Sequence, residues 1–168
     1  MADGLSARFR RWFDYERDAH SHVFASLATV PEARRDGPEY RKAVDLLAHV
    51  VAARRIWLAR IVGEEAGPVV VFPRDARIED VAADWGEVEG RWAAYLEKLD
   101  DDELARAVDY RLSDGSSGRN AAEDLLVQLY GHSHYHRGQI AMLVRAAGGE
   151  PAATDFIHWL RRRPEDAG

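Results

Sequence analysis

Between Ile78 and Leu99 an apolar residue returns at every third or fourth position: Ile78, Val81, Trp85, Val88, Trp92, Tyr95 and Leu99. That spacing gathers them on one side of an α-helix, whereas a strand would divide them between its two faces. A helix with one apolar stripe needs other such helices to cover it. Three further segments supply them. The first helix is expected from about Leu5 to Ala28, with Phe9, Phe13, Glu16, His20, Phe24 and Leu27 on one face. The second runs from about Glu39 to Val62 and stops at Gly63, with Asp45, Leu46, His49, Ala52, Ala53 and Ile56 inward. The fourth runs from about Asn120 to Ala147, Asn120 serving as N-cap with Glu123 three residues on. The 78–99 helix offers no inward carboxylate or histidine, so its role is structural. The predicted fold is all-α, a four-helix bundle in one domain over residues 1–168.

The connections carry their own signals. Val30 to Pro38 and Glu64 to Arg77 hold the prolines and glycines of loops, and Val69-Val70-Val71-Phe72 is an apolar piece that either covers a site or rests on the bundle. Ala107 to Leu112 alternates in polarity before the turn-rich Ser113-Asp114-Gly115-Ser116-Ser117-Gly118, which predicts a short hairpin. A last short helix is expected from near Thr154, bringing Phe156, Ile157 and Leu160 onto the bundle. The tail Arg161-Arg162-Arg163-Pro164 is basic but too short for a nucleic-acid site.

Composition excludes several functions. At 168 residues with 46% hydrophobic and 31% charged content, the chain is long enough and ordinary enough for a soluble core. A net charge of −6 argues against general nucleic-acid binding. With no cysteine there is no disulfide, zinc ribbon or thiolate nucleophile, which fits a cytoplasmic protein. No apolar run is long enough for a membrane span. The N-terminal Met-Ala-Asp-Gly-Leu-Ser lacks the apolar region of a secretory signal.

Chemistry concentrates in His132-Ser133-His134-Tyr135-His136-Arg137-Gly138-Gln139-Ile140. His132 and His136 are four residues apart and share one face of a helix, the spacing at which two imidazoles grip one metal ion. His134 points elsewhere. Stepping along the helix, Leu125, Gln128, Leu129, Gln139, Ile140 and Leu143 fall with the pair. Two readings stay open on these residues: a metal clamp, or core histidines bonded to other buried groups. His49 on the second helix is a third imidazole, converging with the pair if the helices are neighbours. Three neutral histidines leave an open position, the arrangement of catalytic rather than structural sites. Zn²⁺, Ni²⁺, Co²⁺ and Fe²⁺ all accept imidazoles. Gln128, Gln139, Asp45 and Glu16 are candidates to orient the rings. His20 is either a core histidine bonded to Glu16 or a backbone carbonyl, or a group lining the pocket. His22 and His158 are expected at the surface, and Arg54, Arg55 and Arg60 on the solvated face.

The run Tyr130-Gly131-His132-Ser133-His134-Tyr135-His136-Arg137-Gly138-Gln139-Ile140 resembles the fourth-helix signature of the DinB family. Leu47-Ala48-His49-Val50-Val51-Ala52-Ala53 with Trp57-Leu58, the segment Asp109-Tyr110-Arg111 with Ser113-Asp114-Gly115, and Thr154-Asp155-Phe156-Ile157 resemble the family's other landmarks, in order. The resemblance implies an up-down-down-up bundle, often dimeric, with a divalent metal (zinc, nickel, manganese or iron) on His49, His132 and His136. The family includes mycothiol-dependent maleylpyruvate isomerase and bacillithiol S-transferases. Two positions depart from its pattern: Arg54 stands where an acidic residue is expected, and His20 where asparagine is common. His20 is accordingly a candidate general base or auxiliary ligand.

The expected function is that of a metal-dependent hydrolase, or of a transferase using a low-molecular-weight thiol as cosubstrate. Arg54, Arg137 and Arg145 are the arginines available to a carboxylated thiol, although Arg137 is expected to cap or pair at the surface. The alternative is a non-catalytic metal-binding module acting in a stress response or an interaction.

Overall fold

The computed structural model describes residues 4–112 and 114–163. Ser113 of the expected turn, Pro164 of the basic tail and the N-terminal Met-Ala-Asp lie outside it. Four long helices form the body: α1 (Leu5–Ala28), α2 (Pro38–Val62), α3 (Ile78–Glu97) and α5 (Ala122–Ala146). Between α3 and α5 come a short α4 (Asp101–Ala105) and a hairpin of β1 (Ala107–Arg111) and β2 (Ser117–Ala121). α6 (Phe156–Arg162) follows α5.

Cross-helix bonds fix the directions. Tyr130 donates to Phe9 O at 3.0 Å, and Arg137 meets Glu16 further along both helices, so α1 and α5 run parallel. Arg55 reaches Asp84 and Glu87, and Arg91 reaches Glu64, so α2 and α3 also run parallel. Arg10 bonds Leu96 O at the far end of α3, while Arg17 pairs with Glu89, so α1 and α3 are antiparallel. The order is up-down-down-up. α2 lies between α3 and α5, and α1 closes the ring against the same two helices.

The core follows from the stripes. Phe9, Phe13, Leu27, Leu47, Leu58, Val88, Trp92, Leu96, Leu126, Leu129 and Ile140 are buried in one cluster. Trp92 Nε1 donates to Arg54 O at 3.2 Å, which satisfies the one polar atom this ring brings inside. At a few tens of calories per Å², the buried aromatic and aliphatic side chains are the main stabilising term.

Several boundaries differ from expectation. α2 starts at Pro38, whose fixed φ and missing N–H suit a first helical position. It ends at Gly63, whose φ of 74° lets Glu64 N close on Ala59 O. α3 ends at Glu97, though Leu99 is still buried. α4 was not expected from sequence. Asp100 caps it by accepting from Glu103 N at 2.8 Å.

Asn120 is not an N-cap. It pairs with Val108 in β2, its Oδ1 accepts from the Tyr110 hydroxyl, and the helix starts at Ala122, whose N–H donates to Arg106 O. The strand ladder took the backbone that a cap would have used. Gly118 sits opposite Tyr110, where a Cβ would overlap the ring. In the last helix Trp159, not Ile157, is the anchor. Trp159 is buried with Tyr15 and Ala19, while Ile157 is exposed.

Candidate metal centre

α2 brings His49 to α5 at the level of His132 and His136. Their ligand atoms all lie within 4.8 Å of one another. The ring centroids are 5.0 Å (His49–His132), 4.9 Å (His49–His136) and 4.5 Å (His132–His136) apart. His49 Nε2 and His132 Nε2 approach to 3.1 Å.

Two of the rings have fixed tautomers. His49 Nδ1 donates to Val71 O at 2.6 Å, and His136 Nδ1 donates to Gln139 Oε1 at 2.8 Å. With Nδ1 protonated, each neutral ring keeps its Nε2 lone pair free to coordinate. The close Nε2 pair of His49 and His132 accommodates either an N–H of His132 donated to His49 or a cation held between the two lone pairs. A tetrahedral zinc with bonds of about 2.0–2.1 Å would hold ligand nitrogens roughly 3.3 Å apart, so the approach seen here fits a divalent ion.

Burial and charge favour neutral rings. His132 titrates at about 4, lowered first by burial and then by His136, His49 and Arg54. His136 is also lowered, mainly by burial, against the opposing effect of the hydrogen bond it donates to Gln139. A neutral imidazole is the form a metal needs.

The expected supports divide. Gln139 holds His136 as read. Asp45 instead accepts from Ala76 N at 3.0 Å, so it anchors the loop after α2 rather than a ring. Gln128 is exposed. The apolar piece Val69–Phe72 does cover the site: Val71 O accepts from His49, and the Phe72 ring stacks on His49 at 4.8 Å. No sequence signal assigns Val71, since a backbone carbonyl is contributed by any residue.

Beside the triad lies a buried ionic network. Glu16 is fully buried and its carboxylate meets two guanidiniums, those of Arg54 and Arg137. Arg54 also donates to Ser133 Oγ at 3.1 Å, and Arg137 to the Tyr15 hydroxyl at 2.8 Å. Tyr15 in turn donates to Thr154 O at 2.6 Å and lies 3.0 Å from His134 Nε2. Arg54 therefore does not belong to the solvated face, nor Arg137 to the surface. Both are buried because Glu16 supplies the countercharge inside the bundle, and neither is free to grip a substrate. Arg145 is exposed.

His20 is completely buried. Its Nδ1 donates to Glu16 O at 2.8 Å and its ring packs on Trp85 at 4.3 Å. It is not a member of the group whose ligand atoms meet. His134 points away from that group and donates to Tyr130 O. His22 and His158 are exposed.

A groove at the other end of α2 is lined by Arg60, Arg91, Tyr95, Glu103 and Arg106 and does not reach the triad. Within it Tyr95 and Arg106 both bond Glu103, and Arg106 bonds Ile61 O.

Fold and site together define a bundle of parallel and antiparallel helix pairs with a three-histidine centre able to hold a metal ion. Residues 1–166 match the model of the DinB family, and the chain belongs to that family. No curated protein shows significant similarity to it. No helix of the described residues is long and apolar enough to cross a membrane.

Proposed function

We propose that the chain is a divalent-metal-dependent enzyme, a hydrolase or a low-molecular-weight-thiol transferase. The observation that carries this reading is the convergence of three imidazoles, two of them with Nδ1 committed to acceptors, and no fourth protein ligand in the group among the described residues. A metal bound there would polarise a water, a thiol or a carbonyl on its free side. The chain's own part is positional: Val71 and Gln139 hold the rings of His49 and His136 in register, and burial disfavours protonation of His132 and His136. Because the sequence has no cysteine, a thiol nucleophile must arrive as a cosubstrate.

A second reading, a non-catalytic metal-binding module, is favoured by one observation. Glu16 and His20, the inward bases legible in the sequence, are both fully buried and bonded within the bundle. Elemental analysis of untagged protein beside a His132→Ala/His136→Ala double variant tests the shared premise. About one metal per chain, lost in the variant, is expected; a wild type that takes no zinc, nickel or manganese sinks both readings. Turnover with a thiol and an electrophile, abolished in the double variant, then separates enzyme from module.

A further inference from the structure

The mouth of the triad is built of apolar rings rather than acidic groups. Phe72 lies almost parallel to His49, 10° between the planes, yet is 72% exposed. Tyr135 stands edge-on to His136 at 5.1 Å and is 65% exposed. Phe72 is held there: its loop is tied to α2 by the His49–Val71 bond and, four residues beyond Phe72, by the Asp45–Ala76 bond. Two aromatic rings flanking a polar centre and still open to solvent have the composition of a small-molecule site, mostly apolar with a few placed polar groups.

Asp45, one turn before His49, has its carboxylate on Ala76 N. The three imidazoles carry no negative charge and no carboxylate joins them. A divalent ion bound there would keep its full charge. Lys42 is exposed and stands two helical turns before His49 on the same side of α2. Lys42 is in no ion pair among the described residues.

We propose that the mouth of the triad receives a small carboxylic acid with a flat apolar body, Lys42 meeting the carboxylate and Phe72 and Tyr135 flanking the body. This deepens the metal-centre reading and rests on it for the position of the reacting group. The rings and the lysine belong to the chain with or without metal.

The test is calorimetric titration of phenylacetate, phenylacetamide and acetate into full-length protein. Zinc-loaded and metal-free samples are used, with metal content measured on each. Phenylacetate is expected to bind, and the other two on the order of tenfold more weakly or worse. Phe72→Ala and Tyr135→Ala should each weaken phenylacetate on the order of tenfold. Lys42→Ala should weaken phenylacetate and leave phenylacetamide unchanged, a split that general loss of structure does not produce. Met142→Ala, exposed further along α5, should change nothing.

Equal binding of phenylacetate and acetate, or indifference to all three variants, overturns the proposal. So does sedimentation showing that the wild type is a dimer which Phe72→Ala and Tyr135→Ala convert to monomer without any phenylacetate bound, because the rings would then be a subunit interface. Zinc-loaded protein that ignores phenylacetate refutes this inference and leaves the metal centre standing. Protein that takes no metal but binds phenylacetate through these residues does the reverse.

Discussion

Glu16→Gln isolates the ionic network from the histidines. The wild-type carboxylate is fully buried between Arg54 and Arg137, whose side chains are each 2% exposed. An amide in its place can accept from one guanidinium but turns N–H groups toward the other. Two cations then sit inside the bundle with no countercharge. Breaking a buried ion pair on one side costs about 3–5 kcal/mol, most of it from the charges left behind. For a chain of this length that lowers the thermal midpoint by roughly 10–15 °C. The assay is thermal and urea unfolding followed by far-ultraviolet circular dichroism, with a chelator present so that metal binding does not shift the baseline. A triple variant, Glu16→Leu/Arg54→Met/Arg137→Leu, should recover most of the loss, because apolar side chains of similar size need no partner. A Glu16→Gln protein within about 1 kcal/mol of wild type would refute the claim that this carboxylate neutralises the core. A triple variant worse than the single would refute the claim that unpaired charge is the cause.

Other expectations follow from single contacts. Gln139→Leu removes the acceptor for His136 Nδ1 and should weaken metal binding about 10–100-fold in competition with a chromophoric chelator; unchanged affinity would mean that the side chain does not set the tautomer. His20 titrates well below its ordinary value, first because of burial and then because of Arg137 and His134. Its contribution is therefore fully present above about pH 6.5, where the unfolded histidine is also neutral. Below that pH the unfolded chain takes up a proton that the native ring refuses, and stability falls by roughly 1 kcal/mol per pH unit. His20→Phe keeps a flat ring against Trp85 and should flatten that acid slope in urea titrations; an unaltered slope would show that His20 is not its source. Gly118→Val should destabilise the hairpin by about 1–3 kcal/mol, and much less in a Tyr110→Ala background, since the Tyr110 ring is what the new side chain would meet. Equal losses in both backgrounds would assign the cost to the strand backbone instead.

Much of the fold was legible because its elements are long and periodic. The stripe on α1 named Phe9, Phe13, Glu16, His20, Phe24 and Leu27, all buried except the half-buried Phe24. Boundaries failed where a partner outside the segment decided them. Asn120 has the chemistry of a cap, but pairing with Val108 claimed it for a strand. Asp100 with Glu103 three residues on carries the spacing of a capping box, and that signal would have found α4. Glu103, however, turns to Tyr95 and Arg106 rather than back to the cap. At the C-terminus, phase alone did not distinguish Ile157 from Trp159. The larger ring won the place beside Tyr15.

The three histidines read together in the sequence do converge, but on a face set slightly differently from the one expected, and the offset accounts for their exposure. On α5 the expected stripe ran through His132 and His136. The buried one runs Leu125, Leu126, Leu129, Ser133, Arg137, Ile140 and Val144, one position further on. On α2 the deepest line includes Leu47, Val50, Arg54 and Leu58, while Asp45, Leu46 and Ile56, read as inward, are half-buried. One residue is a rotation of about 100°. The histidines therefore stand on the shoulder of the helix interface instead of its middle, which leaves His132 and His136 partly open. The middle is occupied by Ser133, Arg137 and Arg54, polar groups that apolar periodicity assigns to the outside. The two arginines can be inside only because Glu16 arrives from α1, another helix, a pairing that no local pattern reports. The departure at Arg54 was visible in the sequence. Its meaning was not, until α1 supplied the carboxylate that balances it.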